Sequence, residues 1–481
     1  MSASSTNIAI AFIITLLLSC FPPLASAGEL PDLGAPDLID YDAQTEKNFG
    51  DAFSTALHNQ YTLIEDPELV SAIRRIAANI TRQVSPQRDF TFYIIDNKEI
   101  NAFAGPNGII GIHSGLIMAA QSEDELAAVI AHEVAHVTQR HLSRTLKQQS
   151  TVNLSSFATL LAAILIGTQD PSAGIATYMG GMGLNLQQQL KNSRLHETEA
   201  DSIGMQYLSK AGYDPHAMGE FFQRLSKASQ LNEFNPPEIL RTHPVTEKRL
   251  AEAENRANEL LTPREPMHTT SLTLIKLRLE AVAQNPVTLT INHPLTKDEK
   301  CYQKNLEALV TLTNSKRFDK PCIIQAIKNH PRERLYALLL TQIELQTKQQ
   351  KQALTQLSLL NELYPSDLAV TLRYAKAISI VRNNEQASDF LRRKVEIFQH
   401  PYLIYQGISQ YEGQSQHIAR AYFYEAKAFK SIGDQKRYHY LLERAQKFMQ
   451  PDDPLLERLL SQEDNKNNNK NNNKKDSHAT N

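Results

Sequence analysis

The sequence predicts a mainly α fold with a small β-sheet: a domain built around a histidine-bearing helix, followed by a domain of helical repeats. Three observations predict it. The stretch from Ser122 to His141 reads as one helix and carries His132-Glu133-Val134-Ala135-His136. Two short β-rich runs, Phe90 to Ile95 and Ile109 to His113, stand just before it. Beyond Thr262-Pro263-Arg264-Glu265-Pro266 the chain turns helical, with Pro331, Pro365 and Pro401 separated by 34 and 36 residues. The 481 residues are 41% hydrophobic and 21% charged, an ordinary globular balance with length for two or three domains. A net charge of −2 gives no bulk electrostatic attraction to nucleic acid.

The first element is an apolar run, Ile8 to Leu18, too short to span a bilayer. Ala25-Ser26-Ala27 follows as a small-residue cleavage site, so residues 1–27 read as a signal peptide for export. Its n-region departs from the pattern in having no Lys or Arg. Cys20, after Leu17-Leu18-Ser19, keeps open an outer-membrane lipoprotein, and an uncleaved anchor is a third reading. Cleavage after Ala27 leaves two cysteines, Cys301 and Cys322. An even pair in an exported chain suggests a disulfide, against two unpaired thiols.

Residues 40–83 read as helical in two pieces, broken near Asp66-Pro67. The two β-rich runs are expected to be neighbouring strands beside the histidine-bearing helix. The second, flanked by glycine, reads either as an interior strand or as a sheet edge. An edge there would hold a substrate peptide by its main chain.

The central helix has a marked start: Ser122 with Glu125 is a capping-box pattern. On a helix i and i+4 lie one above the other, so His132 and His136 present two imidazoles to one point, as a tetrahedral zinc requires. Glu133, beside that face, is placed to take a proton from a metal-bound water. The bland alternative is a core helix whose histidines are satisfied by hydrogen bonds, although burying them without metal or partners is costly. His141 fails as third ligand, because on a continuous helix it points about 140° away from His136. A helix-breaking Gly, which a three-histidine motif requires, is missing. The better third ligand lies in Ser193-Arg194-Leu195-His196-Glu197-Thr198-Glu199-Ala200-Asp201, also helical. Glu197 and Asp201 are i and i+4, so one carboxylate can bind metal while the other holds a ligand imidazole. A solvated acidic face is the alternative.

These residues resemble the M48 zinc metallopeptidases. Asn101-Ala102-Phe103-Ala104 with Gly108 to Leu116 is similar to the strand and turn before that family's zinc helix, and Thr242-His243-Pro244 with Arg249 to its later motif. The subset with a signal peptide and a C-terminal tetratricopeptide region fits best. The resemblance implies a gluzincin-type domain over residues 28–262, with one Zn2+ on His132, His136 and Glu197, and Glu133 as general base. Asp201 would orient a histidine ligand. His243 would donate to the oxyanion, close the site as a fourth ligand, or be a loop histidine without a role. The implied activity is zinc-dependent endopeptidase action in the periplasm, in quality control or assembly of outer-membrane β-barrel proteins. The implied partners are unfolded or assembling envelope proteins and the outer-membrane β-barrel assembly machinery. The rival is a chaperone or adaptor that uses the repeats while the zinc site is structural or shut.

The remaining elements are plainer. Residues 152–184 read as an apolar helical hairpin over the site, with membrane contact as the second reading. Residues 263–270 form a linker, and residues 271–462 a tetratricopeptide-like domain, whose units are about 34 residues long. Residues 402–417 break that period. The Asn/Lys-rich tail, 463–481, cannot bury a core and is expected to be disordered.

Overall fold

A computed structural model describes residues 43–147, 186–231, 236–260, 271–283, 294–311, 318–449, 453–454 and 456–461. The signal segment with Cys20, the apolar stretch 152–184, the linker 263–270 and the tail 463–481 lie outside the described residues. Among those described, no helix is long and apolar enough to cross a membrane.

Helices α1 (Ala43–Gln60) and α2 (Pro67–Thr81) break where Asp66-Pro67 requires. Asp66 caps α2 by accepting from the Leu69 amide at 3.1 Å, and Pro67, which has no amide hydrogen to lose, takes the first helical position. Strands β1 (Thr91–Ile95), β2 (Ala102–Ala104) and β3 (Ile109–His113) form one sheet in the order β1-β3-β2. β3 pairs in parallel with β1 and antiparallel with β2. Ile109 to His113 is therefore the interior strand, buried at all five positions, with β1 and β2 at the two edges. A strand covered on both faces carries a continuous rather than an alternating apolar run.

A short helix α3 (Ser114–Ala119) leads to α4 (Glu123–Thr138), the helix of the two histidines. Ser122 accepts from the Glu125 amide at 3.1 Å, but Glu125 Oε2 reaches the Gln121 amide at 2.6 Å rather than that of Ser122. Only half of the capping box forms. α4 also ends three residues earlier than the pattern predicts. Arg140 takes φ of 54°, and α5 (His141–Lys147) starts afresh. No Gly or Pro stands there to signal the break.

Next come α6 (Leu186–Lys210), α7 (His216–Leu231), α8 (Glu238–Thr242) and α9 (Glu247–Glu259). α6 packs on α4 through Gly204, where a Cβ would stand 3.1 Å from both Ala131 O and His132 N. A side chain there would push α6 and its carboxylates off the histidine helix.

Among the described residues the C-terminal elements are all helices: α10 (Leu272–Val282), α11 (Lys297–Val310), α12 (Lys320–Asn329), α13 (Arg334–Gln346), α14 (Gln350–Leu363), α15 (Leu368–Val381), α16 (Asn384–Lys394), α17 (Tyr402–Gln414), α18 (Ile418–Ser431) and α19 (Gln435–Lys447), with a short 3-10 turn at Val395–Ile397. α13, α15 and α17 begin at residues 334, 368 and 402, so successive pairs start 34 residues apart (368 − 334 and 402 − 368). Tyr402–Gln414 thus begins on the period instead of breaking it. Pro331, Pro365 and Pro401 each precede the first helix of a pair. Cys301 on α11 and Cys322 on α12 form a disulfide, as the even pair suggested.

The described residues from Glu46 onward make one compact unit, whose apolar core runs from Ile64 to Leu456. Its seam is ionic as well as apolar. Glu68 on α2, 1% exposed, accepts from Arg373 at 2.6 and 2.8 Å, Arg278 at 2.8 Å and Gln342 at 2.9 Å. Asp367 in turn accepts from Ser71, Arg75 and Arg334. At the far end Gly433 (φ 87°) lies against α1, with its ideal Cβ 2.4 Å from Asp51 Cβ, so only glycine fits. His400 bonds Phe90 O at 2.9 Å.

Candidate metal centre

Four donors converge from three places in the chain. α4 supplies His132 and His136, α6 supplies Glu197, and the turn after α8 supplies His243; their ligand atoms lie within 4.8 Å of one another. The two Nε2 atoms are 3.0 Å apart. Glu197 Oε2 is 3.4 Å from His132 Nε2, and Oε1 is 3.5 Å from His136 Nε2. His243 Nδ1 stands 3.3 Å from His132 Nε2 and 3.0 Å from Glu197 Oε2. Donors around a tetrahedral ion at bonds of ~2.0–2.1 Å are separated by ~3.3 Å, so this set fits one metal ion.

The electrostatics favour a cation. Burial opposes charge on His132, but Asp201 and Glu197 outweigh it and lift the imidazole to about 10. Burial would raise Glu197, yet His243, His132 and His136 hold it well below the usual carboxylate range. Burial drives His136 the other way, well below the ordinary histidine value. A metal ion competes with protons for such a site.

Glu133 is buried beside the cluster, and burial raises its carboxyl. Neither oxygen is held by a well-formed hydrogen bond among the described residues; His243 Nε2 is 3.5 Å from Oε1. The Ala104 backbone offsets part of that burial, and a buried carboxylate so loosely held is costly.

Behind the donors stand two supports. Asp201 Oδ1 lies 3.0 Å from His132 Nδ1. Arg249 grips both Asp201 oxygens at 2.7 and 2.8 Å, and its Nη1 reaches Pro244 O at 2.7 Å and Glu197 Oε2 at 3.2 Å. This one guanidinium ties the His243 turn to both carboxylates of α6. On the other side His141 Nδ1 meets His136 Nδ1 at 2.9 Å, while His141 Nε2 meets Glu199 Oε2 at 3.1 Å. Burial, then His196, push His141 down to about 4, so the ring is neutral near pH 7.

All six residues singled out from the sequence, His132, Glu133, His136, Glu197, Asp201 and His243, therefore come together. His141 is not among the converging donors, as expected, but for a different reason. The helix stops, and the ring folds back onto His136 instead of pointing away. Sequence reasoning missed the parts played by His141, Glu199 and Arg249; only Arg249 carried a signal, as part of the later motif.

A buried His-His-Glu-His cluster, with a loosely held glutamate beside it on the same helix, defines a metallopeptidase centre. Residues 64–257 match peptidase family M48, and the chain belongs to that family: it is a metalloendopeptidase. It is 34% identical over 329 residues to a provisionally named beta-barrel assembly-enhancing protease of Vibrio cholerae, covering 66% of this chain and 67% of that one. It is 37% identical over 236 residues to the beta-barrel assembly-enhancing protease of Escherichia coli, covering 49% and 48%. The mitochondrial metalloendopeptidase OMA1 of Schizosaccharomyces pombe is 33% identical over 174 residues, covering 36% and 48%. The matches thus span about half the length of the last two relatives.

Proposed function

We propose that the protein is an exported zinc endopeptidase acting on misfolded or assembling envelope proteins, outer-membrane β-barrel proteins among them. The observation that carries the zinc assignment is the nitrogen- and oxygen-rich donor set at tetrahedral spacing. His132, His136 and Glu197 hold the ion, which when bound supplies a Lewis acid for the scissile carbonyl and acidifies water. Glu133 takes a proton from the attacking water and returns it to the leaving amine. Asp201 orients His132. β2, the sheet edge beside Glu133, lends its main chain to an extended peptide, which gives loose sequence preference. The helical pairs, read as tetratricopeptide-like, offer the surface for the substrate or the β-barrel assembly machinery. What supports the substrate class is the name shared by the bacterial relatives. The disulfide supports an oxidising, periplasmic compartment.

His243 completes a set of four protein donors. A site closed by four ligands is a resting one, because catalytic zinc keeps one position for substrate or water. His243 is thus a brake that must leave before cleavage, and this reading is favoured over an oxyanion donor by its Nδ1 lying among the other donors. The test is zinc content and casein cleavage of the mature chain beside Glu133→Gln and His243→Ala. Stoichiometric zinc, cleavage by wild type, none by Glu133→Gln and faster cleavage by His243→Ala support the whole scheme. Zinc without cleavage by any variant sinks the protease role in favour of a chaperone, and slower cleavage by His243→Ala sinks the brake.

A further inference from the structure

We infer that His141 is a positioning residue for the metal centre: it accepts the Nδ1 proton of His136 and so fixes which nitrogen of His136 is free to bind metal. The inference rests on the metal-site reading above. Glu199, an acceptor, receives Arg144 Nη1 at 2.8 Å and His141 Nε2 at 3.1 Å on the same Oε2 atom. His141 therefore carries its proton on Nε2. Its Nδ1 is then a bare lone pair, 2.9 Å from His136 Nδ1. His136 Nε2 faces the other donors, so a ring that binds metal through Nε2 carries its proton on Nδ1 and donates it to His141 Nδ1. That leaves His136 Nε2 unprotonated, on the side where His132 Nε2 stands at 3.0 Å and Glu197 Oε1 at 3.5 Å. The His141 ring is held flat by stacking on His196, with centroids 4.3 Å apart and planes 11° apart.

The two ligand histidines are thus propped in different ways. His132 leans directly on a carboxylate, Asp201. His136 leans on one through an interposed imidazole. The break at Arg140 makes this possible, since a continuous helix would carry His141 to the far side.

The experiment compares His141→Leu, His141→Asn and Glu199→Gln with the full-length wild type. Zinc affinity is read by chelator competition, and site geometry by the visible absorption of the cobalt(II)-loaded protein. Asparagine keeps an acceptor oxygen near the position of Nδ1, whereas leucine has none. His141→Leu should weaken zinc by about 10–100-fold and shift the cobalt bands. His141→Asn should stay near wild type, and Glu199→Gln, a substitution at the more exposed end of the chain, should weaken zinc in the same direction as leucine. Unchanged zinc affinity and cobalt spectra in both His141→Leu and Glu199→Gln would overturn the inference while leaving the metal site standing. Equal losses in the leucine and asparagine variants would overturn the acceptor role. If folded wild type holds no zinc, both this inference and the metal-site reading fall.

Discussion

Replacing Glu68 by Gln perturbs the seam between the peptidase helices and the repeats without removing volume. The local charges balance in the native protein: Asp66 and Glu68 against Arg278 and Arg373. Glu68→Gln leaves one unmatched positive charge among groups that are largely buried, with a carboxamide that can no longer accept strongly from both guanidiniums. Breaking a buried pair by removing one partner costs about 3–5 kcal/mol. The double variant with Arg373→Met restores balance, leaving Arg278 on Asp66, so its loss should fall short of the sum of the single losses by about 1–3 kcal/mol. Guanidinium unfolding monitored by circular dichroism measures all three. A loss below about 1 kcal/mol for Glu68→Gln, or strict additivity in the cycle, would refute the idea that this cluster acts as a unit. Such a result would place it with surface ion pairs, which contribute about that little.

Other outcomes follow from the same geometry. Arg249→Met should lower zinc affinity by about 10–100-fold, because it frees Asp201 and the His243 turn together; chelator competition reads it, and unchanged affinity would deny Arg249 that role. Cys301→Ser with Cys322→Ser should cost about 3 kcal/mol of unfolding free energy by reopening the chain between α11 and α12. His113, fully buried, is pushed by burial down to about 4, whereas the unfolded chain titrates near 6.5. The unfolded state then binds more protons between those values, so stability present above pH 6.5 is lost as pH falls to about 4, by about 3 kcal/mol for this group. His113→Leu should flatten that part of the acid limb in urea midpoints taken from pH 7 to 4; an unchanged limb would count against the buried neutral ring.

Much of this was legible because helical spacing is local. His132 with His136, and Glu197 with Asp201, are i and i+4 pairs, and a four-residue offset fixes a shared face before any tertiary contact is known. What was illegible depends on contacts between segments or on a single dihedral angle. Arg140 enters the left-handed region without a residue that favours it, and that one turn decides where His141 goes. The strand order cannot be read from glycines flanking Ile109 to His113, since both edge and interior strands carry them. Arg249 matters because it bridges Asp201, Glu197 and Pro244 O, groups brought together only by the packing of α6 and α9. The period at Tyr402 was hidden because its helix lacks the usual consensus, yet the backbone keeps count.

Arrays of stacked helical pairs usually gain or lose a unit cheaply, since each pair answers only to its neighbours. Here the array is fastened to the peptidase at more than one point: at Asp367 and Arg373 through α2, at His400 through Phe90 just before β1, and at Gly433 against Asp51. Its length is therefore set by the spacing of those fastenings on the peptidase. Inserting one more pair between α15 and α18 would leave the last fastening out of reach, and deleting one would pull it short. The repeat number should accordingly be inherited with the peptidase surface rather than drift on its own.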